Sequence, residues 1–405
     1  MAAISFDPRI NRQMSKNSHG VIIEEIEGLI RVYKDGHIER PPIIPSVPCN
    51  VATVNDVTAK DVVIDKFTNL WARIYVSNRS GTLPLLVYFH GGGFCVGSAA
   101  WSCYHEFLAN LASKASCIIV SINYRLAPEN RLPAAYDDGV NAFTWLKQQA
   151  LNGPPEHQWW LSRCNLSSIF LAGDSAGANI YSLQRGHEAS VQLQSRVHDK
   201  AFVLSSEERH ELCLRKIYMT QPANSALTLS ASDTYWWLSL PPGSNRDHPY
   251  CNPLANGASK LRDLRLPPVM VGISELDVLK DRNSEFCSAL TRAGKRVETV
   301  TYKGVGHAFQ ILHNYHLSHT RVQEMASHIR AFINQWQKEC NRCSRHIIDD
   351  HGTFVGELKQ STSIASTDDQ LFVRKTSVYM FAICLLRDYT TQISLYKMDL
   401  SSRFG

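Results

Sequence analysis

The chain has 405 residues, of which 44% are hydrophobic and 20% charged, and it carries a formal net charge of +5. That balance excludes a disordered or fibrous protein and suits one large domain with appendages. Lys and Arg are scattered rather than gathered into a block, which excludes the electrostatic footprint of a nucleic-acid binder.

In chain order, Met1 to Lys16 has no apolar stretch ending in a small-residue cleavage site. No run anywhere approaches the roughly 18 apolar residues that a membrane span needs, so a soluble cytoplasmic protein without a membrane partner is expected. Ile22 to Pro41 mixes charge and aliphatics and predicts a helix, with the Pro-rich stretch Pro41 to Pro48 as a loop over the main body. Short β-type runs lie between Val62 and Val76 and end at Ser77 to Thr82, so residues 1–82 are expected to form an N-terminal cap and entry strands. Leu85 to Phe89 reads as a fully buried strand, followed by the loop His90 to Ser98.

Trp101 to Ala115 has helical apolar spacing, Cys117 to Asn123 is a β-branched strand, and Ala134 to Gln149 is helical with Pro133 near its start. Ser168 to Ala172 predicts another buried strand. Pro268 to Ile273 and Val297 to Tyr302 predict two more, with a helix over Asn283 to Ala293 between them and an amphipathic helix over Leu317 to Gln337. Strands alternating with helices imply parallel pairing and right-handed crossovers. The expected class is therefore α/β, a mostly parallel central sheet flanked by helices, with the catalytic domain over residues 83–338. The eleven Cys are odd in number and irregularly spaced, which suggests reduced thiols. Cys340 and Cys343 form a single CxxC with no second pair, a pattern too sparse for zinc.

Gly173-Asp174-Ser175-Ala176-Gly177 fits GxSxG between a buried strand and a helical start at Ala178, the context of a nucleophile elbow with Ser175 as nucleophile. His90-Gly91-Gly92-Gly93-Phe94 also follows a buried strand. Consecutive glycines there leave backbone N–H groups free to meet a developing oxyanion, and the N–H of Ala176 completes the hole. A phosphate cradle is the rival reading, but no Lys-Ser/Thr follows and the spacing does not fit GxGxxG. Of the 16 His, His307 is chosen as base because it lies late in the chain, just after the strand ending at Tyr302. His313, His316 and His319 follow on the next helix and read as a solvated face. Asp277, after the apolar strand Val269 to Ile273, is chosen as the acid that fixes the tautomer of His307, with Glu275 and Asp281 as alternatives.

His90 to Phe94, Tyr124-Arg125-Leu126-Ala127-Pro128-Glu129, Pro133 to Asp138 and Gly173 to Gly177 together resemble the plant carboxylesterases of the hormone-sensitive-lipase type, over roughly residues 20–180 and 217–337. The resemblance implies an α/β-hydrolase fold and hydrolysis of small carboxylic esters without metal or cofactor. It maps Ser175, Asp277 and His307 to the triad, and Gly91, Gly92 and Ala176 to the oxyanion hole. The same family includes the gibberellin receptor, which lacks the catalytic histidine, so the alternative is a non-catalytic small-ligand receptor or pseudo-enzyme. The presence of His307 favours an enzyme.

Two stretches depart from the family. Tyr181 to Arg215 is polar and charged where a helix and a buried strand belong, with Ala201 to Leu204 as its only aliphatic run. Charges on both flanks cost several kcal/mol each if buried unpaired, so a gap in the sheet is expected. Codons exist for Leu204 to Lys216 that spell a Pro-Phe-Phe-Gly-Gly sequence when read one nucleotide earlier, which suggests a frame-shifted or mis-spliced stretch. Residues 339–405 extend past the family's usual end without clear periodicity. A chain with the frame restored over 204–216 is expected to be more soluble and to melt higher than this one; equal solubility and melting temperature would make the stretch a tolerated insertion.

Overall fold

The computed structural model describes residues 19–51, 56–183, 199–204, 225–254, 261–262 and 266–345. The expectations for the N-terminal leader, most of Tyr181 to Arg215, the side chains of Cys340 and Cys343, and residues 346–405 lie outside the described residues.

The core is an eight-stranded sheet built from β4 (Val57–Asp65), β5 (Leu70–Ser77), β6 (Leu83–Phe89), β7 (Ile118–Asn123), β8 (Cys164–Asp174), β9 (Asp199–Leu204), β10 (Val269–Ser274) and β11 (Val297–Tyr302). Its order is β11-β10-β9-β8-β6-β7-β5-β4. From β7 to β11 every neighbouring pair is parallel, and β4 and β5 close one edge antiparallel. Burial follows position. Every residue of β6 and of β10 is buried, as a strand covered on both faces requires, while β4 and β11 are mostly exposed or partly exposed because they sit at the edges.

The backbone of β9 pairs with β8 from Ile169↔Asp199 to Asp174↔Leu204 and with β10 from Val269↔Ala201 to Gly272↔Leu204. The expected gap in the sheet is therefore corrected: the aliphatic run Ala201 to Leu204 is the part that bridges both neighbours. Four residues suffice because the flanking strands already present complete ladders of donors and acceptors.

Helices cover both faces. α1 (Ser102–Ala115) buries Tyr104, Phe107, Leu108, Leu111, Ala112 and Ala115, a stripe at helical spacing, and α2 (Ala134–Asn152) follows β7. The short α3 (Gln158–Leu161), α4 (Ala176–Leu183), α5 (Leu229–Ser239), α6 (Lys280–Arg292), α7 (Phe309–Leu312) and α8 (Ser318–Arg345) complete the set. α1 shares one apolar cluster with Met325, Ile329, Phe332, Ile333 and Trp336 of α8, across β6 residues Leu86 and Tyr88. α5, which sequence periodicity did not reveal, is capped by Thr228, whose hydroxyl accepts the Ala231 N–H at 3.1 Å. Among the described residues no helix is long and apolar enough to cross a membrane.

The helix expected over Ile22 to Pro41 is instead a three-stranded antiparallel sheet, β1 (Ile22–Ile26), β2 (Ile30–Tyr33) and β3 (Ile38–Glu39). The missed signal is turn chemistry: Glu27-Gly28 and Asp35-Gly36 punctuate the segment, and Asp35 Oδ1 accepts the His37 N–H at 2.9 Å. Ile26, Ile30 and Val32 pack on Cys95, Val96, Ala127 and Leu238. Arg40 secures the junction, donating from Nε to the Cys95 carbonyl (2.6 Å), from Nη2 to the Ala127 carbonyl (2.8 Å) and to Glu129. Ile30 is fully buried, so Ile30→Ala is expected to cost about 2 to 5 kcal/mol and to lower the single melting transition. A separate early transition in calorimetry would show instead that this sheet unfolds on its own.

Candidate active site

Parallel strands end on the same edge, so the loops after β6, β8, β10 and β11 converge there. Those four loops carry Gly91 to Gly93, Ser175, Asp277 and His307. Ser175 has φ +51°, a left-handed conformation costly for a residue with a Cβ, which turns β8 sharply into α4. Gly177 permits the turn, because a Cβ there would lie 2.0 Å from the Phe89 carbonyl oxygen at the end of β6.

The structure brings Ser175, His307 and Asp277 into one chain of contacts. His307 Nε2 lies 3.0 Å from Ser175 Oγ, and His307 Nδ1 lies 2.9 Å from Asp277 Oδ2. A carboxylate on Nδ1 requires the ring proton there, which leaves Nε2 as an acceptor for the serine hydroxyl. The other oxygen of Asp277 accepts the Leu279 N–H at 2.9 Å, which fixes the carboxylate plane. Both His307 and Asp277 are 8% exposed, so their interaction is screened little by water. Of the alternative acids, Glu275 accepts the Gly304 N–H at 2.8 Å and Asp281 lies beside Lys280, so neither meets the ring.

The oxyanion loop requires one correction. The Gly91 N–H donates inward to Tyr104 Oη (2.7 Å) and Asp174 Oδ1 (3.0 Å), so it is engaged by the scaffold where the sequence reading expected it to be free. The N–H groups of Gly92, Gly93 and Ala176 meet no acceptor among the described residues, and Gly92 and Gly93 have φ +118° and +58°. Gly93 thus presents its N–H as Gly92 does; three glycines in a row gave the sequence no basis for ranking them.

The remaining motif residues support this loop. His90 is fully buried, and burial pushes its imidazole down to about 4, so the ring is neutral and donates from Nδ1 to the Gly91 carbonyl at 2.8 Å. It stacks on Tyr124 with centroids 4.2 Å apart, and the Tyr124 hydroxyl donates to the His90 carbonyl at 2.7 Å. Arg125 pairs with the fully buried Asp138, which also accepts the Arg125 backbone N–H. The Ser239 hydroxyl of α5 lies within hydrogen-bond reach of two carbonyls, Tyr235 at 2.6 Å and Gly93 at 3.0 Å.

His313, His316 and His319 lie away from these contacts. His313 precedes α8 and stacks on His319 at 4.5 Å, and both line a cavity of about 60 Å³ with Glu106, Lys114 and Gln310. Half-burial of His313 corrects the expected solvated face for that residue, while His316 and His319 are exposed. Among the described residues no group of three or more His, Cys, Asp or Glu could hold a metal ion.

Residues 86–311 match the model of the α/β hydrolase fold family. The chain belongs to this family. It is 45% identical over 332 residues to probable carboxylesterase 6 of Arabidopsis thaliana, covering 80% of this chain and 94% of that protein. It is 36% identical over 301 residues to the chloroplastic tuliposide A-converting enzyme 1 of Tulipa gesneriana, covering 72% and 73% of the two chains. Among solved structures, an esterase from the fungus Rhizomucor miehei superposes with a TM-score of 0.58 at 21% identity, over 71% of this chain and 87% of the other, a likeness of fold.

Because the Gly177 Cα is backed by the Phe89 backbone and not by a flexible side chain, Gly177→Ala must displace the elbow. Fluorophosphonate labelling of Ser175 is expected to fall at least tenfold in that variant, by roughly the cost of a misplaced reacting group; labelling at the parental rate would refute the close approach.

Proposed function

We propose that this chain hydrolyses small carboxylic esters with Ser175 as nucleophile, His307 as general base and acid, and Asp277 as the orienting acid. The observation that carries this reading is the continuous chain from Asp277 Oδ2 through the imidazole to Ser175 Oγ, at 2.9 and 3.0 Å. Ser175 Oγ bonds to the ester carbonyl carbon while its proton passes to His307 Nε2. The N–H groups of Gly92, Gly93 and Ala176 receive the oxyanion. The alkoxy bond then breaks, the proton on Nε2 leaves with the alcohol, and an acyl-enzyme remains. Water attacks that acyl group with His307 again taking the proton, which releases the carboxylic acid and restores the serine. No step draws on a metal or cofactor.

The 45% identity to a probable carboxylesterase supports this chemistry. The receptor alternative is disfavoured by His307, since binding alone has no need of an imidazole within 3.0 Å of an elbow serine. We further infer a cap with entry strands over 1–82, a catalytic domain over 83–338 and a tail over 339–405. A cytoplasmic location is in keeping with the unpaired thiols of Cys95 and Cys117.

Turnover of short p-nitrophenyl esters is the direct test. Ser175→Ala is expected to lose about three orders of magnitude or more in kcat. The kcat/KM of the parent should fall as pH drops through roughly 6 to 7, where an imidazole base becomes protonated. EDTA should leave turnover intact. Undiminished hydrolysis by Ser175→Ala, or loss with EDTA in folded protein, would overturn the assignment.

A further inference from the structure

Asp174 occupies the variable position of the GxSxG motif, and its carboxylate is enclosed by four donors. Oδ1 accepts the Tyr88 hydroxyl at 2.7 Å and the Gly91 N–H at 3.0 Å. Oδ2 accepts the Tyr104 hydroxyl at 2.9 Å and Gln310 Nε2 at 3.1 Å. These donors come from β6, the oxyanion loop, α1 and the segment just after His307. None of the four is a cation. We propose that Asp174 is a positioning residue that fastens the elbow, the oxyanion loop and the histidine loop to one buried negative charge.

Two consequences follow from the geometry. By drawing the Gly91 N–H inward, Asp174 fixes the side of the loop on which Gly92 and Gly93 present theirs. By holding Gln310, three residues after His307, it ties the base to the same anchor as the nucleophile. Burial pushes the Asp174 carboxyl above its ordinary value, and the hydrogen bonds from Tyr88, Tyr104 and the Gly91 N–H act against that shift. The charge attracts the imidazolium of His307. The ring meets Ser175 from α4's entry and Asp277 from the turn after β10, and Tyr315 lies against the neighbouring Gly306. Asp174 and Asp277 thus both favour the charged base, Asp277 by direct contact.

The inference rests on the triad reading, and substitutions separate the two. Asp174→Asn keeps an oxygen for Gly91 and Tyr88 and turns its amide nitrogen toward Tyr104 and Gln310, whose hydroxyl and carboxamide can both rotate to accept. It removes the charge and preserves the shape. Its kcat/KM profile is expected to shift its acid limb to lower pH by about half a unit or more, because the imidazolium loses an attractive charge. Asp174→Ala also releases the loops, and kcat should fall about ten- to a hundredfold with KM changed less than about threefold. Should Asp174→Ala not fold, Tyr88→Phe combined with Gln310→Leu removes one donor from each oxygen and is expected to lower kcat in the same way. An acid limb in Asp174→Asn that superimposes on the parent, together with a kcat in the folded Ala or double variant within about twofold of it, would overturn the proposal. Ser175→Ala, run alongside, tests the triad by itself, since retained turnover there refutes the nucleophile whatever Asp174 does.

Discussion

Everything at the active edge depends on the parallel register of β6 and β8, in which Phe89 faces Gly173. A parallel pair ends both strands on one side, so the glycine loop and the elbow leave the sheet as neighbours. They can approach closely only because Gly177 offers no side chain to the Phe89 carbonyl. Shifting this register by one residue would turn Ser175 to the wrong face of the sheet and bury polar backbone against apolar strands. The fully apolar burial of β6 and most of β8 makes such a slip costly.

A loop of three glycines has little rigidity of its own, because glycine imposes few limits on φ and ψ. The chain supplies rigidity from outside. Tyr124 stacks beneath His90, Arg125 and Asp138 brace the strand end, and the Ser239 hydroxyl of α5 lies within hydrogen-bond reach of the Gly93 carbonyl. Asp138 is wholly buried, and removing its charge from water is compensated by a backbone N–H and a guanidinium together. The residues that make the family recognisable are therefore mostly those that hold the reacting groups, and only a few of them touch the chemistry.

The N-terminal segment contributes a wall rather than a helix. Its three short strands have too little core of their own, and they gain it by packing Ile26, Ile30 and Val32 on the oxyanion loop and α5. Arg40 reaches the oxyanion loop and the loop after β7 through carbonyl oxygens of Cys95 and Ala127, so the cap and the site share one apolar and one polar junction.

The sequence by itself determined the fold class, the order of the strands along the chain, and the identities of Ser175, His307 and Asp277 as candidates. Those features are local: buried parallel strands read as continuous apolar runs, and an elbow needs small residues at fixed spacing. What needed the tertiary structure was every choice between chemically equivalent neighbours. Gly91, Gly92 and Gly93 are identical residues, and only the inward pull of Tyr104 and Asp174 distinguishes the first. Glu275 and Asp277 are both strand-end carboxylates, and only the path of the loop brings one to the imidazole. The strand Ala201 to Leu204 is short and flanked by charge, and its seat between β8 and β10 is set by the unpaired edges of its neighbours, a constraint outside the segment itself. The cap read as a helix because charge and aliphatics alternate loosely there, and its true pairing rests on two turns and on a surface contributed by residues far along the chain.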